Sequence, residues 1–273
     1  MEFLSRKLRC PICNAEFVVE LPLGAEPVRH ETDFRPVFVR GDLIAAELHA
    51  CPGCRYAGYA GAFERDGEEE EEEPERRTTP EPLEPFGLPE DEDLDDLRRW
   101  IRRGALVGEL GLGGREPSAA ERYLLAARCR EYLGDEHHLA LGDLYLRGAW
   151  CARGAEEHEL ELRLLREAST HLAAALEGTV AEGEKGRLTY LAGEVARRAG
   201  DFARAVDLFG QVDAVVDADE DEGARLLRLT RRQEALAIVK SAVNATLPAE
   251  TDEDGLLLPP PGRRTGDEDG DES

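Results

Sequence analysis

Two copies of Cys-Pro-x-Cys, CPIC at Cys10 to Cys13 and CPGC at Cys51 to Cys54, constrain this chain more than any other feature. Two residues between cysteines let a tight turn present both sulfurs to one ion, with backbone N–H groups pointing at them. Two such turns supply four thiolates, and a tetrahedral sulfur set is what a structural Zn²⁺ takes, at about 2.3 Å per bond. With every position filled by protein sulfur, Cys10, Cys13, Cys51 and Cys54 predict a structural ion and not a catalytic one.

The residue after the second Cys of such a turn takes a left-handed backbone. Asn14 tolerates this, and Arg55 does so at a cost of roughly 1 kcal/mol, small beside the ~10–16 kcal/mol of a structural zinc. Lys7, Arg9 and Arg55 lie close enough in sequence to offset the surplus thiolate charge. His30 and His49 are also near, but either replaces a Cys ligand only where a pair is incomplete, and neither pair is. A thiol-redox pair is the competing reading, but the context it needs, a strand leading into Cys-x-x-Cys and on into a long helix, is missing. Cys129 and Cys151 fall on apolar helix faces and read as core residues, in preference to a second metal site with His137, His138 or His158.

Composition divides the chain into four. Residues 1–63 carry both Cys pairs and the β-like runs EFVVELPL, PVFVR and LIAAELHA, which predict a small zinc-ribbon-like β module. Residues 64–92 are dense in Glu and Pro, which repel and break regular structure, so they read as a disordered acidic linker. Residues 93–245 show apolar positions at three- and four-residue spacing and predict an α-helical domain. Within it DLDDLRRWIRR opens with acids and closes with arginines, GALVGELGLGGRE interrupts the helices, and Ser118 to Glu121 has capping-box spacing. Residues 246–273 are acidic and Pro-rich and read as a disordered tail. The fold class expected is α+β, mostly α.

The stretch LAGEVARRAGDFARAVDLFGQV resembles one tetratricopeptide repeat. Gly193 is the small residue of the first helix, Gly200-Asp201-Phe202 the turn, Ala205 the small position of the second helix and Phe209 its aromatic anchor. An earlier Leu-Gly-x-x-Tyr, Leu141 to Tyr145, repeats the signature, with a partner helix that comes late. The helices therefore read as stacked pairs, one regular and the rest degenerate.

CPICNAEF, RHETDFRPVF and CPGCRYAGYAGAF, followed by those helices, resemble a bacterial family catalogued as domain of unknown function 2225. The resemblance spans about residues 8–63 and 117–215 and implies a Cys-x-x-Cys zinc module joined to tetratricopeptide-like helices. Glu31 stands where the family usually has Asp, and Arg55 where it usually has Gly, and neither departure removes a ligand. The family supplies no reaction to carry over.

A formal net charge of −25 repels a phosphate backbone, although residues 1–60 are near neutral. Nucleic acid is therefore an unlikely partner. MEFLSRKLRC has no apolar run of signal-peptide length and no window approaches a membrane span, so the expectation is a cytoplasmic protein with no membrane partner. No Ser-His-Asp arrangement, H-E-x-x-H or P-loop motif stands out. The function expected is a non-enzymatic zinc-binding scaffold or adaptor that offers a helical-repeat surface to a protein or peptide partner. The alternatives are a thiol-based redox or zinc-responsive regulator, or an enzyme using the region around Asp33, with His30 and Arg35 nearby.

Overall fold

The structure, a computed structural model, describes residues 2–23, 27–39, 41–65, 91–112, 114–134, 136–216 and 221–243. Residues 66–90 and 244–273, which hold most of the expected linker and tail, lie outside the described residues. The fold is α+β and mostly α, with a small N-terminal β module followed by a helix-rich region.

Each Cys pair is the turn of an antiparallel strand pair. β1 (Glu2–Arg9) and β2 (Glu16–Leu23) register from Glu2 opposite Leu23 to Arg9 opposite Glu16, with the first pair of cysteines between them. β3 (Arg29–His30) and β4 (Pro36–Val37) make a short hairpin. After one helical turn, α1 (Ile44–Glu47), β5 (Leu48–Ala50) pairs with β6 (Ala57–Tyr59) around the second pair of cysteines. β7 (Glu64–Arg65) then adds to the free side of β1, giving a sheet in the order β2-β1-β7.

Two expectations change here. β1 does not read as a strand, because EFLSRKLR lacks clean alternation, and β2 supplies its pairing. LIAAELHA is helix at its start and strand only at its end, since Ala45 and Ala46 have no β-branch to favour an extended backbone.

The helices run α2 (Asp91–Arg102), α3 (Ala105–Leu110), α4 (Ala119–Tyr132), α5 (His138–Gly154), α6 (His158–Glu177), α7 (Glu182–Ala199), α8 (Phe202–Val212) and α9 (Asp221–Ile238). The Gly-rich interruption thus contains a helix of its own, α3. Ser118 caps α4 with a full capping box: its Oγ accepts from Glu121 N–H, and the Glu121 carboxylate accepts from Ser118 N–H at 2.7 Å. From α4 onward each helix packs on the next, so the array is sequential.

Close approach within the pairs comes from two glycines. A Cβ on Gly193 would lie 2.8 Å from Cε1 of Phe209, and one on Gly142 would lie 2.9 Å from Cδ2 of Leu172. Phe209 and Leu172 are therefore the anchors of α8 and α6, each seated on a glycine of the preceding helix. Gly200, at φ 86°, ends α7 in a left-handed cap, and the Asp201 carboxylate then caps α8 by accepting from Arg204 N–H. The last helix stops earlier than its apolar spacing suggests. Lys240 turns left-handed at φ 57°, and the Ser241 N–H folds back to the Leu236 carbonyl at 2.8 Å.

Candidate metal centre

The two Cys turns have the same backbone. Asn14 N–H donates to the Cys10 carbonyl at 2.9 Å and Arg55 N–H to the Cys51 carbonyl at 3.0 Å. Cys10 N–H closes onto Ala15 and Cys51 N–H onto Tyr56. Asn14 and Arg55 stand at φ 60° and 70°, the left-handed conformation that this turn requires. Gly53 N–H points at the Cys51 sulfur at 3.4 Å.

The four sulfurs lie within 4.8 Å of one another, close enough to hold a metal ion. Cys10 to Cys54 and Cys13 to Cys51 are each 3.5 Å apart, far beyond the ~2.05 Å of a disulfide. Four ligands at about 2.3 Å from one centre have edges of about 3.8 Å, so the donor set fits a tetrahedral thiophilic cation. Hydrogen bonding within the cluster splits the thiols. Cys51, accepting from Cys10 and Cys54, is lowered to about 2, whereas Cys10 is raised to about 12 and Cys54 is raised as well.

Neither His30 nor His49 joins the group. The expected counter-charges go elsewhere. Lys7 and Arg9 meet Glu16, at 2.7 and 3.2 Å, and the Arg55 guanidinium donates to the carbonyls of Gly114 and Arg115. Arg98 of α2 mirrors that contact on the first turn, donating from Nε and Nη2 to the Pro11 carbonyl at 3.0 and 2.6 Å. Each Cys turn is therefore tied to a different part of the helical region. Cys129 and Cys151 are buried, and burial pushes the Cys129 thiol up to about 12. His138 meets His171, Nδ1 to Nδ1 at 3.1 Å, and among the described residues no second group of three such ligands closes.

Sequence reasoning missed the contact that docks the module. The tip of the β3–β4 hairpin, residues 31 to 34, inserts into the helical array. Asp33 is fully buried, and its Oδ2 accepts from Trp150 Nε1 at 3.0 Å, from Arg153 Nη2 at 2.7 Å and from Arg198. Arg153 also pairs with Glu31, and both arginines reach Glu161 Oε1, at 2.8 and 2.9 Å. Burial would push the Asp33 carboxyl up, but Arg153 and Arg198 overcome it and hold the group well below the usual range. Thr32 donates to Glu194 at 2.6 Å, and Tyr190 donates to the Thr32 carbonyl at 2.8 Å. Phe34 sits at φ 64°, an unusual place for a bulky residue, fixed between the Tyr190 ring at 5.4 Å and the Arg187 guanidinium at 5.6 Å. The resemblance singled out this Glu-Thr-Asp-Phe, and a composition of acid, hydroxyl and aromatic was the signal available. Its partners lie more than a hundred residues away, where spacing carries no information.

A hairpin whose tip is specified by α5, α6 and α7 together makes the helical region the part to compare with known proteins. Residues 107–237 match the family described as uncharacterized protein conserved in bacteria, DUF2225. The resemblance read from the motifs is to this family. The DUF2225 match begins beyond the second Cys pair, so the module itself is joined to it by its motifs and by the docking just described. Comparison with curated proteins and with solved structures finds no match. No helix among the described residues is long and apolar enough to cross a membrane.

Proposed function

We propose that the chain is a non-enzymatic cytoplasmic scaffold. In this reading a zinc-ribbon-like module (residues 1–63) is closed by a structural Zn²⁺ on Cys10, Cys13, Cys51 and Cys54 and seated on a tetratricopeptide-like domain (residues 93–245). The acidic stretches 64–92 and 246–273 act as spacer and tail. The observation that carries the proposal is the completeness of the sulfur set: four donors converge, leaving no ligand position for a substrate. Asp33, the centre of the alternative enzymatic reading, is spent on Trp150, Arg153 and Arg198 and has no exposed surface. A rigid, metal-closed module locked to a helical array suits the holding of a protein partner in fixed geometry.

Elemental analysis of protein purified in reducing buffer should find one zinc per chain. Protein without metal, with all six cysteines titrating as free thiols, would overturn the reading.

A further inference from the structure

Beside the sulfur cluster runs a groove of about 420 Å³, a size usual for binding clefts. One wall is Phe17 to Glu20 of β2 and the other is Leu48 to Ala50 of β5. Successive side chains of a strand point to opposite faces, so consecutive residues line one groove only where the strand presents its edge. Among the described residues β2 pairs with β1 alone and β5 with β6 alone, which leaves each with one edge outside any sheet. Val18, on the same face of β2 as the exposed Glu16 and Glu20, is 66% exposed, and an unpaired strand edge is ordinarily covered or protected in folded proteins.

The groove carries charges of both signs, and two of its polar groups lack partners. Arg122, in the first turn of α4, donates through Nη2 to the Ala45 carbonyl, and its buried Nε has no acceptor. The His49 ring beside it is 8% exposed, and its Nε2 likewise has no partner. Arg147, Arg153, Arg197 and Arg198 all meet carboxylates. Among the described residues Arg122 meets no carboxylate. A desolvated guanidinium edge next to an unpartnered imidazole nitrogen is a receptor for one carboxylate. Glu20 and Glu116, both exposed, also line the groove and repel a ligand that carries several acids.

We infer that this groove takes an extended segment of another protein, added as a strand between β2 and β5, with one carboxylate against Arg122 and His49 and uncharged or basic neighbours. Main-chain pairing to an open strand edge supplies affinity, and the single acid fixes register. The chain's own residues 247–273 are a poorer occupant, because their clustered acids meet Glu20 and Glu116. The inference rests on the scaffold reading for the existence of a partner, while its test reads the groove directly.

The probe is the fluorescein-labelled octapeptide Lys-Thr-Val-Asp-Val-Thr-Val-Lys, titrated by anisotropy against the full chain, with metal content measured on the same sample. Saturable binding is expected, weakened about tenfold or more when Asn replaces the peptide's Asp, as befits loss of a charge-assisted contact. Arg122→Gln should erase that difference, and N-methylation of alternate peptide residues should abolish binding by the wild-type chain. Equal affinity for the Asp and Asn peptides, discrimination that survives Arg122→Gln, or no binding up to millimolar peptide overturns the inference. A chain ended after Val243 that binds tenfold tighter than the full chain also overturns it, since the tail is then the occupant. Metal-loaded protein without discrimination sinks the groove and leaves the scaffold. Metal-free protein sinks the zinc reading while the wild-type peptide comparison keeps its meaning.

Discussion

The N-terminal module and the array from α4 to α9 are held together by different physics. The module has one three-stranded sheet and two two-stranded ones, and a lone two-stranded pair is marginal in water. Its apolar content centres on Leu8, Ile12 and Phe63, the last with the edges of Phe17 and Tyr56 against it. What completes it is polar: four converging sulfurs, Arg98 on Pro11, and Asp33 among arginines. The array is completed by shape, with Phe209 on Gly193 and Leu172 on Gly142. A module built on charge needs every partner present, whereas an array built on packing degrades residue by residue.

The strongest test of this contrast is removal of the metal proposed for the sulfur set. Cys51→Ser or chelation should open residues 2–65, because the binding energy lost is on the order of 10–16 kcal/mol, while helical circular dichroism stays largely intact. Hydrogen exchange read segment by segment checks this. Loss of protection across α5 to α8 at the same time would show one cooperative unit and break the comparison.

Asp33→Asn should cost about 3–5 kcal/mol, since it removes the buried charge that Arg153 and Arg198 share and leaves the two arginines with Glu161 and, for Arg153, Glu31. The pH dependence has a definite sign. The folded carboxyl lies below its unfolded value of about 3.9, so its contribution is complete above that pH and is lost as pH falls toward the folded value. Denaturant midpoints between pH 5 and 8 should therefore show no slope from Asp33. Acid unfolding below about pH 4 should be less steep in the variant than in the wild type.

Phe209→Ala tests the other side, at a similar or slightly smaller cost of about 3–5 kcal/mol. The ring is 1% exposed and rests on Gly193, which has no side chain to collapse into the cavity. An unchanged melting temperature would remove shape as the organising principle of the array. Gly193→Leu should be equally damaging, because its first added atom already meets the ring. The smallest effect expected is that of Ser118→Ala, about 1 kcal/mol for the lost cap of α4, measured by denaturant unfolding.

What could be read from the sequence was what spacing encodes. The Cys turns, the left-handed Asn14 and Arg55, the Ser118 box, the Gly200 turn and the Phe209 anchor are all local patterns, and the structure has them where the pattern puts them. β1 was hidden because charged residues occupy both of its faces and only pairing with β2 makes it a strand. The sequence drew attention to the region around Asp33, but Trp150, Arg153 and Arg198 could not be named from it as its partners. Nor does a sequence show that Arg122 meets no carboxylate among the described residues, since that is a fact about distances among many groups.

The span between Asp33 and its farthest partner also sets a schedule. Arg198 follows Asp33 by 165 residues, so at about 5–20 residues per second a ribosome takes on the order of 10–30 s to deliver it. Arg153 follows Asp33 by 120 residues, so for most of that interval the hairpin tip has a carboxylate and neither of its arginines, whereas all four cysteines are complete by residue 54. If the sulfur set takes the proposed ion, its capture is the step that can order the module while the chain is still being made, and docking must wait for α7. Starved of that ion, the nascent module would meet its helices unfolded, with the β2 edge outside any sheet.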